Sequence, residues 1–386
     1  MTCAISFLQN EAKIMNKINV LYICHAPDSL GGAALSLYDL IQSVADYVHP
    51  IVMTSKQSLV FDFFTSKGIE CVIYPFMGGI RNDNFIRRCL RYIYKHTLYK
   101  MVIYKISNFI KRRSIHIIHS NSSAINVGYE LSKKTQVKHV WHIREFLDLD
   151  FDLQPEYGWN ELIRSVHESD AAIAITRVVY NHFKLQEMSR SHCLWDAVVS
   201  KNNIPASQQK HNMFFHCAAR LSPNKGTTNV IKCFVKSGLY RNGINLVLGG
   251  NISAKYKREL YSYIPDDAKD SIKFIGYVPD ISKILVTARA FLMFSKNEGL
   301  GRVTVEAMVC GCPVIGINSG GTAEILSNDK GILCNNEKDC ISAMFDVLEK
   351  DYSDMITRAK QFAINNFNIE EYGIQISDIY KKLLGS

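Results

Sequence analysis

Two acids stand out in the stretch Phe294-Ser295-Lys296-Asn297-Glu298-Gly299-Leu300-Gly301-Arg302-Val303-Thr304-Val305-Glu306-Ala307-Met308. An apolar strand, Ala290 to Phe294, runs into a loop holding Glu298, Gly299 and Gly301. That loop opens an amphipathic helix whose first turn carries Glu306. A helix N-terminus offers unpaired N–H groups and the positive end of the helix dipole, so it suits a phosphate. Glycines let the backbone approach a ligand closely and adopt φ > 0. Carboxylates beside such a site suit a ligand that carries hydroxyl groups as well, each accepted in a charge-assisted hydrogen bond of about 1.5–3 kcal/mol. A nucleotide-sugar has both parts. Downstream, Cys310-Gly311-Cys312-Pro313-Val314-Ile315-Gly316 and Ser319-Gly320-Gly321-Thr322-Ala323-Glu324 repeat the order of strand, glycine turn and helix start. Two such turns at one sheet edge form a cradle.

Other candidates lie at comparable strand ends. Arg220 and Lys225, in Ala219-Arg220-Leu221-Ser222-Pro223-Asn224-Lys225-Gly226, follow a strand and precede a helix, within reach of a ligand at the sheet edge. Gly249-Gly250 follows the next strand, where a base or diphosphate would come close. Gly31-Gly32 follows the first strand, and no GxGxxG with a later acid accompanies it, which argues against a dinucleotide. His142 ends a strand in Trp141-His142-Ile143-Arg144-Glu145. The loop-like Asp148-Leu149-Asp150-Phe151-Asp152 contains overlapping Asp-x-Asp, a pattern that can bind manganese. With a diphosphate site assigned elsewhere, it is read as no metal site. The 11 cysteines include no CxxC pair, and Cys310 and Cys312 lack two further ligands nearby, so they read as packed thiols in a reducing compartment.

The elements behind these residues fall into two sets. At 386 residues the chain suits two domains rather than one core. Apolar runs at Ile18–His25, Pro50–Thr54, Glu70–Tyr74, Ile115–Ser120, Lys138–Trp141 and Ala171–Ile175 alternate with helix-length segments. The alternation restarts at Met213–Ala219, Asn245–Leu248, Lys273–Ile275, Ala290–Phe294, Pro313–Ile317 and Gly331–Leu333. Asp196 to Asn212, polar and irregular, reads as a linker. The pattern predicts an α/β fold of two Rossmann-like, doubly wound domains facing a cleft: residues 1–200, 205–365 and a terminal helix within 366–386. Such sheets bind ligands beyond the carboxyl ends of their strands, where both glycine loops lie.

Taken together, Glu-Gly-x-Gly…Glu-Ala-Met…Gly-x-Pro-Val…Gly-Gly-x-x-Glu resembles the donor-site signature of retaining glycosyltransferases of family 4, which have the two-domain GT-B fold. Ala219 to Gly226 resembles the family's Gly-Arg-Leu-x-x-x-Lys-Gly segment, with Ala219 where glycine is usual. Phe274-Ile275-Gly276-Tyr277-Val278 resembles its Phe-x-Gly-x-Val strand end, and Gly31-Gly32-Ala33 its glycine loop. The resemblance implies a nucleotide-diphosphate-sugar donor, no cofactor and no metal. It implies catalytic roles for Glu298, Arg220, Lys225 and His142, with Glu298 at the transferred sugar and the cations on the departing diphosphate. It implies donor contacts from Gly31, Gly32, Gly249, Gly299, Leu300, Gly301, Arg302 and Glu306, the last at the ribose. Arg144 and Glu145 are candidates for a glycan or lipid-linked acceptor in cell-surface polysaccharide synthesis. The terminal helix would pack back on the first domain. A nucleotide-sugar epimerase or hydrolase, or a non-catalytic carbohydrate-binding subunit of the same fold, is the alternative.

Charge adds a partner. Ten cations against Asp83 alone lie between Arg81 and Arg113, so this one segment carries the whole net charge of +9. Phe85, Ile86, Leu90, Ile93, Leu98, Val102, Ile106 and Phe109 are interleaved with them. The segment reads as a pair of basic amphipathic helices for an anionic membrane surface. No nucleic-acid motif accompanies the charge. No apolar run reaches the ~18 residues of a spanning helix, and residues 1–14 read as a dispensable extension without signal-peptide features. The expected location is cytoplasmic, peripheral on the inner membrane face.

Overall fold

A computed structural model of the chain describes residues 17–25, 30–81, 93–95, 97–201, 204–206 and 208–385. The N-terminal extension, residues 1–14, therefore lies outside the described residues, as do Phe85, Ile86, Arg87, Arg88, Leu90 and Arg91 of the basic segment.

The first sheet holds β1 (Ile18–Ile23), β2 (Val48–Thr54), β3 (Glu70–Ile73), β4 (Ile117–Ser120), β5 (Lys138–Ile143), β6 (Ala171–Ala174) and β7 (Ser191–Cys193). All are parallel, in the order β3-β2-β1-β4-β5-β6-β7. The second holds β8 (Met213–Arg220), β9 (Asn245–Asn251), β10 (Ile272–Gly276), β11 (Ala290–Met293), β12 (Val314–Ile317) and β13 (Ile332–Cys334), ordered β10-β9-β8-β11-β12-β13 and again parallel. Near-continuous apolar strands such as Val-Leu-Tyr-Ile in β1 and Ala-Ala-Ile-Ala in β6 are buried on both faces, as helix-covered parallel sheets require. The Ser-His-Cys strand β7 was not foreseen; a short polar edge strand carries no apolar run.

In each sheet the strand order reverses once, between β1 and β4 and between β8 and β11. Loops leaving adjacent strands on either side of a reversal part, and the crevice between them is where such sheets bind ligands. Gly31-Gly32 follows β1, residues 121–123 follow β4, Lys225 follows β8 and Glu298 follows β11. The fold thus delivers four loops from two domains to one place.

Two strands of chain join the domains. The Asp196–Val199 end of the expected linker is ordered: Val199 bridges Asn368, and the N–H groups of Val198 and Val199 donate to the Phe367 carbonyl at 2.9 and 3.0 Å. The Ile369–Leu384 helix then lies against the Gly32–Ser43 helix, burying Tyr372, Ile376, Ile379 and Tyr380 with Val20, Leu37 and Leu40. A Cβ on Gly373 would sit 2.2 Å from the Ser43 carbonyl oxygen, so only glycine permits this approach. One apolar cluster runs from Ile143 and Ile175 of the first domain to Met293, Leu300 and Phe367.

The basic Leu98–Arg112 helix differs from expectation in which face it hides. Ile106 and Phe109 are buried with Tyr99, Ile103 and Ile110 against β1, β2 and β4, so these residues belong to the core and are not available to a membrane. Among the described residues no helix is long and apolar enough to cross a membrane.

Candidate functional site

On the second domain, Gly226 makes the central contact possible. Its φ is +74°, and a Cβ there would lie 2.1 Å from the Phe294 carbonyl oxygen, so the loops after β8 and β11 stack directly. Stacking brings Lys225 Nζ to 2.9 Å from both oxygens of Glu298. Burial alone would raise the Glu298 carboxyl, but the Lys225 ammonium outweighs it and holds the group below the usual glutamate range. The downstream glycine turn props this loop from beneath: Gly321 N–H donates to the Glu298 carbonyl at 2.7 Å, and Cβ atoms on Gly320 and Gly321 would collide with Glu298 and Gly299 backbone. Gly301, at φ +79°, then starts the Arg302–Val309 helix. One turn along it, Glu306 is half-buried, and its carboxylate has no hydrogen-bond or ion-pair partner among the described residues. Burial raises its carboxyl, with Arg302 opposing. A carboxylate that no protein donor occupies suits an incoming hydroxyl pair.

On the first domain, Gly31 is the N-cap of the Gly32–Ser43 helix, whose first turn faces the cleft through Gly32, Ala33 and Ser36. Arg144 Nε donates to Asn121 Oδ1 at 2.7 Å, and its Nη1 pairs with Asp196. Glu145 accepts from Ser123 N–H and Ser123 Oγ, both at 2.8 Å, and from Ser122 Oγ. The two do not pair with each other; each is held by its own domain.

Asp148 to Phe151, expected as loop, is a single helical turn that walls the cleft. The Asp150 carboxylate accepts N–H from Phe146 at 3.0 Å and Leu147 at 2.8 Å, which holds Leu147 in its left-handed conformation at φ +84°. Burial, with Glu145 adding, pushes Asp150 up to about 7. Asp148 meets His182 at 3.0 Å. The Asp148 and Asp150 carboxylates are thus engaged with protein groups, and among the described residues no cluster of three His, Cys, Asp or Glu is arranged to hold a metal. Phe151 lies 5.8 Å under the Lys225 ammonium, and Asn297 Nδ2 donates to the Leu149 carbonyl at 2.9 Å, so this turn touches the opposite domain.

The cleft between these edges has a volume of about 210 Å³. Gly32, Arg144, Glu145, Lys225, Glu298, Gly299, Leu300, Gly301 and Arg302 line it, with Gly31 adjoining and Glu306 one turn behind. A larger cavity of about 650 Å³ lies apart from it, between Arg177, Trp195, Lys201, Glu324 and Tyr372. Helix starts and the Lys225–Glu298 pair converge on the smaller one.

Three expectations are corrected. His142 lies in the core: β5 continues to Ile143, so the strand end falls one residue later and Arg144 takes the cleft position. The His142 ring is shut in with His119 at 3.2 Å and Arg144 at 3.3 Å, and burial keeps it neutral. Gly249 is also buried, opposite Cys217 in β8; a Cβ would meet Cys217 Sγ and Phe215 at 3.2 Å, so its smallness serves strand packing. Arg220 is exposed and outside the cleft wall, because β8 advances three residues from Cys217 while β9 advances two. That bulge re-aims the side chains beyond it. Arg302 does line the cleft, but reaches across it to Asp39 at 2.7 Å, Ser36 Oγ at 3.0 Å and the Ala197 carbonyl at 2.9 Å. Ser36, Asp39, Asp150, Phe151 and Asp196 were missed. Gly32, Ser36 and Asp39 recur at helical spacing, a polar stripe on an apolar helix that would have pointed to the first two.

Two parallel α/β domains facing each other across their carboxyl edges, with the last helix returned to the first domain, define the GT-B class of glycosyltransferase folds. Residues 200–365 match the family described as glycosyl transferases group 1. A GDP-mannose-dependent monoacylated α-(1-6)-phosphatidylinositol monomannoside mannosyltransferase of Corynebacterium glutamicum is 29% identical over 163 residues, 40% of this chain and 42% of that protein. The match to N-acetyl-α-D-glucosaminyl L-malate synthase of Bacillus anthracis, 30% identical, likewise covers 30% of this chain and 32% of that protein. The chain therefore spans less than half the length of these two relatives. Anabaena HepE in complex with UDP superposes with a TM-score of 0.78 at 18% identity, over 95% of this chain and all of that one.

Proposed function

We propose that the protein is a retaining, metal-independent glycosyltransferase of family 4 type. It moves a sugar from a nucleotide diphosphate to a hydroxyl of a glycan or lipid-linked acceptor in cell-surface polysaccharide synthesis. The observation that carries this reading is the Lys225–Glu298 pair at 2.9 Å, set between the glycine-started helices of both domains.

In the ligand-free cleft each of the two charges satisfies the other. A diphosphate arriving at the helix starts takes the ammonium, and the freed carboxylate accepts hydroxyls of the transferred sugar. Charge then grows on the diphosphate as the anomeric C–O bond breaks, facing a cation and helix N–H groups already in place. The acceptor oxygen attacks on the face the diphosphate leaves, and its proton passes to a departing phosphate oxygen. Glu306 takes the ribose hydroxyls. A thermal-shift panel of UDP-, GDP- and ADP-sugars tests donor binding. A donor at 100 times its dissociation constant adds ≈2.7 kcal/mol to the folded state. No response to any of them removes the reading, and activity abolished by EDTA and restored by manganese removes its metal-free form.

The same reading places the protein on the cytoplasmic side of an anionic membrane. Leu98, Met101 and Tyr104 are 60%, 55% and 58% exposed on the outward face of the Leu98–Arg112 helix, beside Lys100, Lys105 and Lys111. Each such cation contributes ≈1 kcal/mol at an anionic surface. Flotation with phosphatidylserine vesicles that leaves the protein behind rules this out.

A further inference from the structure

Glu324 has no part in the chemistry above, although it completes the Gly-Gly-x-x-Glu segment. It stands on the Gly320–Leu326 helix, whose start supports the Glu298 loop. Its carboxylate serves the other domain. Oε1 accepts from Arg177 N–H and from Trp195 Nε1–H, each at 3.0 Å, and Oε2 accepts from Val178 N–H at 3.2 Å. Three donors of the first domain end on one acid of the second.

Trp195 opens a run in which consecutive residues hold different parts of the molecule. Its ring stacks on Phe367 at 5.0 Å. Asp196 takes the Arg144 guanidinium and the Tyr372 hydroxyl, the latter at 3.3 Å. The Ala197 carbonyl takes Arg302, and Val198 and Val199 hold the returning chain at Phe367. The cleft cation, the start of the Arg302–Val309 helix and the crossover therefore all refer to five residues.

The cleft as it stands, about 210 Å³, is smaller than the roughly 300–1,000 Å³ of ordinary ligand pockets. On the transfer reading, a nucleotide-sugar enters such a cleft as the domains part and is enclosed as they come together in register. We infer that Glu324 is a positioning residue: its three-donor contact fixes where the Trp195–Val199 run seats on the second domain, and so sets Arg144 against the Lys225–Glu298 pair. The inference rests on the transfer reading proposed above.

Two substitutions test it. Glu324→Gln sets an amide N–H₂ against N–H donors, and Trp195→Phe removes one donor while keeping the ring stack. Small-angle scattering of the ligand-free protein should show both variants more extended than the parent. At saturating donor, kcat for transfer should fall by about 10²-fold in Glu324→Gln, the scale of a 1 Å misplacement, with donor KM little changed. The Trp195→Phe variant should fall in the same direction by less. Scattering identical to the parent in both variants overturns the inference, as does an extended protein with unaltered kcat. Scattering requires no substrate, so a parent that transfers no sugar while its variants open would sink the transfer reading and leave the positioning contact standing. Should Glu324→Gln not fold, Trp195→Phe decides alone on the same two readouts.

Discussion

The two edges of the cleft share a topology and differ in how their charges are held. On the second domain, Lys225 and Glu298 hold each other across two loops, and Glu306 waits without a partner. On the first domain every cleft charge is satisfied from within: Arg144 by Asp196 and Asn121, Glu145 by Ser122 and Ser123. A group that a ligand must engage has to exchange partners at little cost. A group that shapes the site gains from partners it never gives up. The second edge is built to bind, the first to stay rigid.

That contrast has measurable consequences. Asp196→Ala should be the most damaging to stability, because it strands the buried Arg144 guanidinium; breaking such a pair costs about 3–5 kcal/mol, read by urea denaturation. A loss under 1 kcal/mol would mean that Arg144 is as free as Lys225. Glu298→Gln should lower kcat by about 10²–10³-fold, comparable to removing one preorganised transition-state contact, with a smaller change in stability. Its stability effect has a sign. The depressed Glu298 carboxyl stabilises the fold above its unfolded value, and that contribution is lost as pH falls through the lower folded value. The Gln variant should therefore show a flatter acid limb in melting temperature below the ordinary glutamate range.

Glu306→Gln should weaken donor binding by about 1.5–3 kcal/mol, the worth of a charge-assisted hydrogen bond, measured by calorimetry with the nucleotide alone. Unchanged affinity would place the ribose elsewhere. The smallest effect on turnover belongs to His142→Gln. A ring enclosed by His119 and Arg144 contributes packing, so stability should drop while kcat stays close to that of the parent. A collapse of kcat with an intact fold would return His142 to the cleft.

Much of the second edge was legible because its residues are local in sequence. Glu298, Gly299, Gly301 and Glu306 lie within one strand–loop–helix passage, so residue type and spacing set them together on one loop and helix. Lys225 could be proposed from its own loop, but its partner could not; Gly226 lets two distant loops stack, and that contact spans 73 residues. The first edge was harder. Whether a strand ends at His142 or at Ile143 changes which side chain meets the cleft, and apolar periodicity does not resolve one residue. The bulge that turns Arg220 outward likewise leaves no mark in composition.

Alternation of apolar runs with helix-length segments is enforced residue by residue, by burial and backbone hydrogen bonding within short stretches. For that reason the amino-acid order alone established two parallel α/β halves and a glycine-lined loop at a strand end. Which charges are free and which are held depends on what lies opposite once the halves meet. Asp39 on Arg302, Glu324 on Trp195 and Asp196 on Tyr372 join residues more than 50 positions apart. Those pairings follow from domain docking and the returning helix, because a side chain's partner is set by where the backbone is carried in space rather than by its neighbours in the chain.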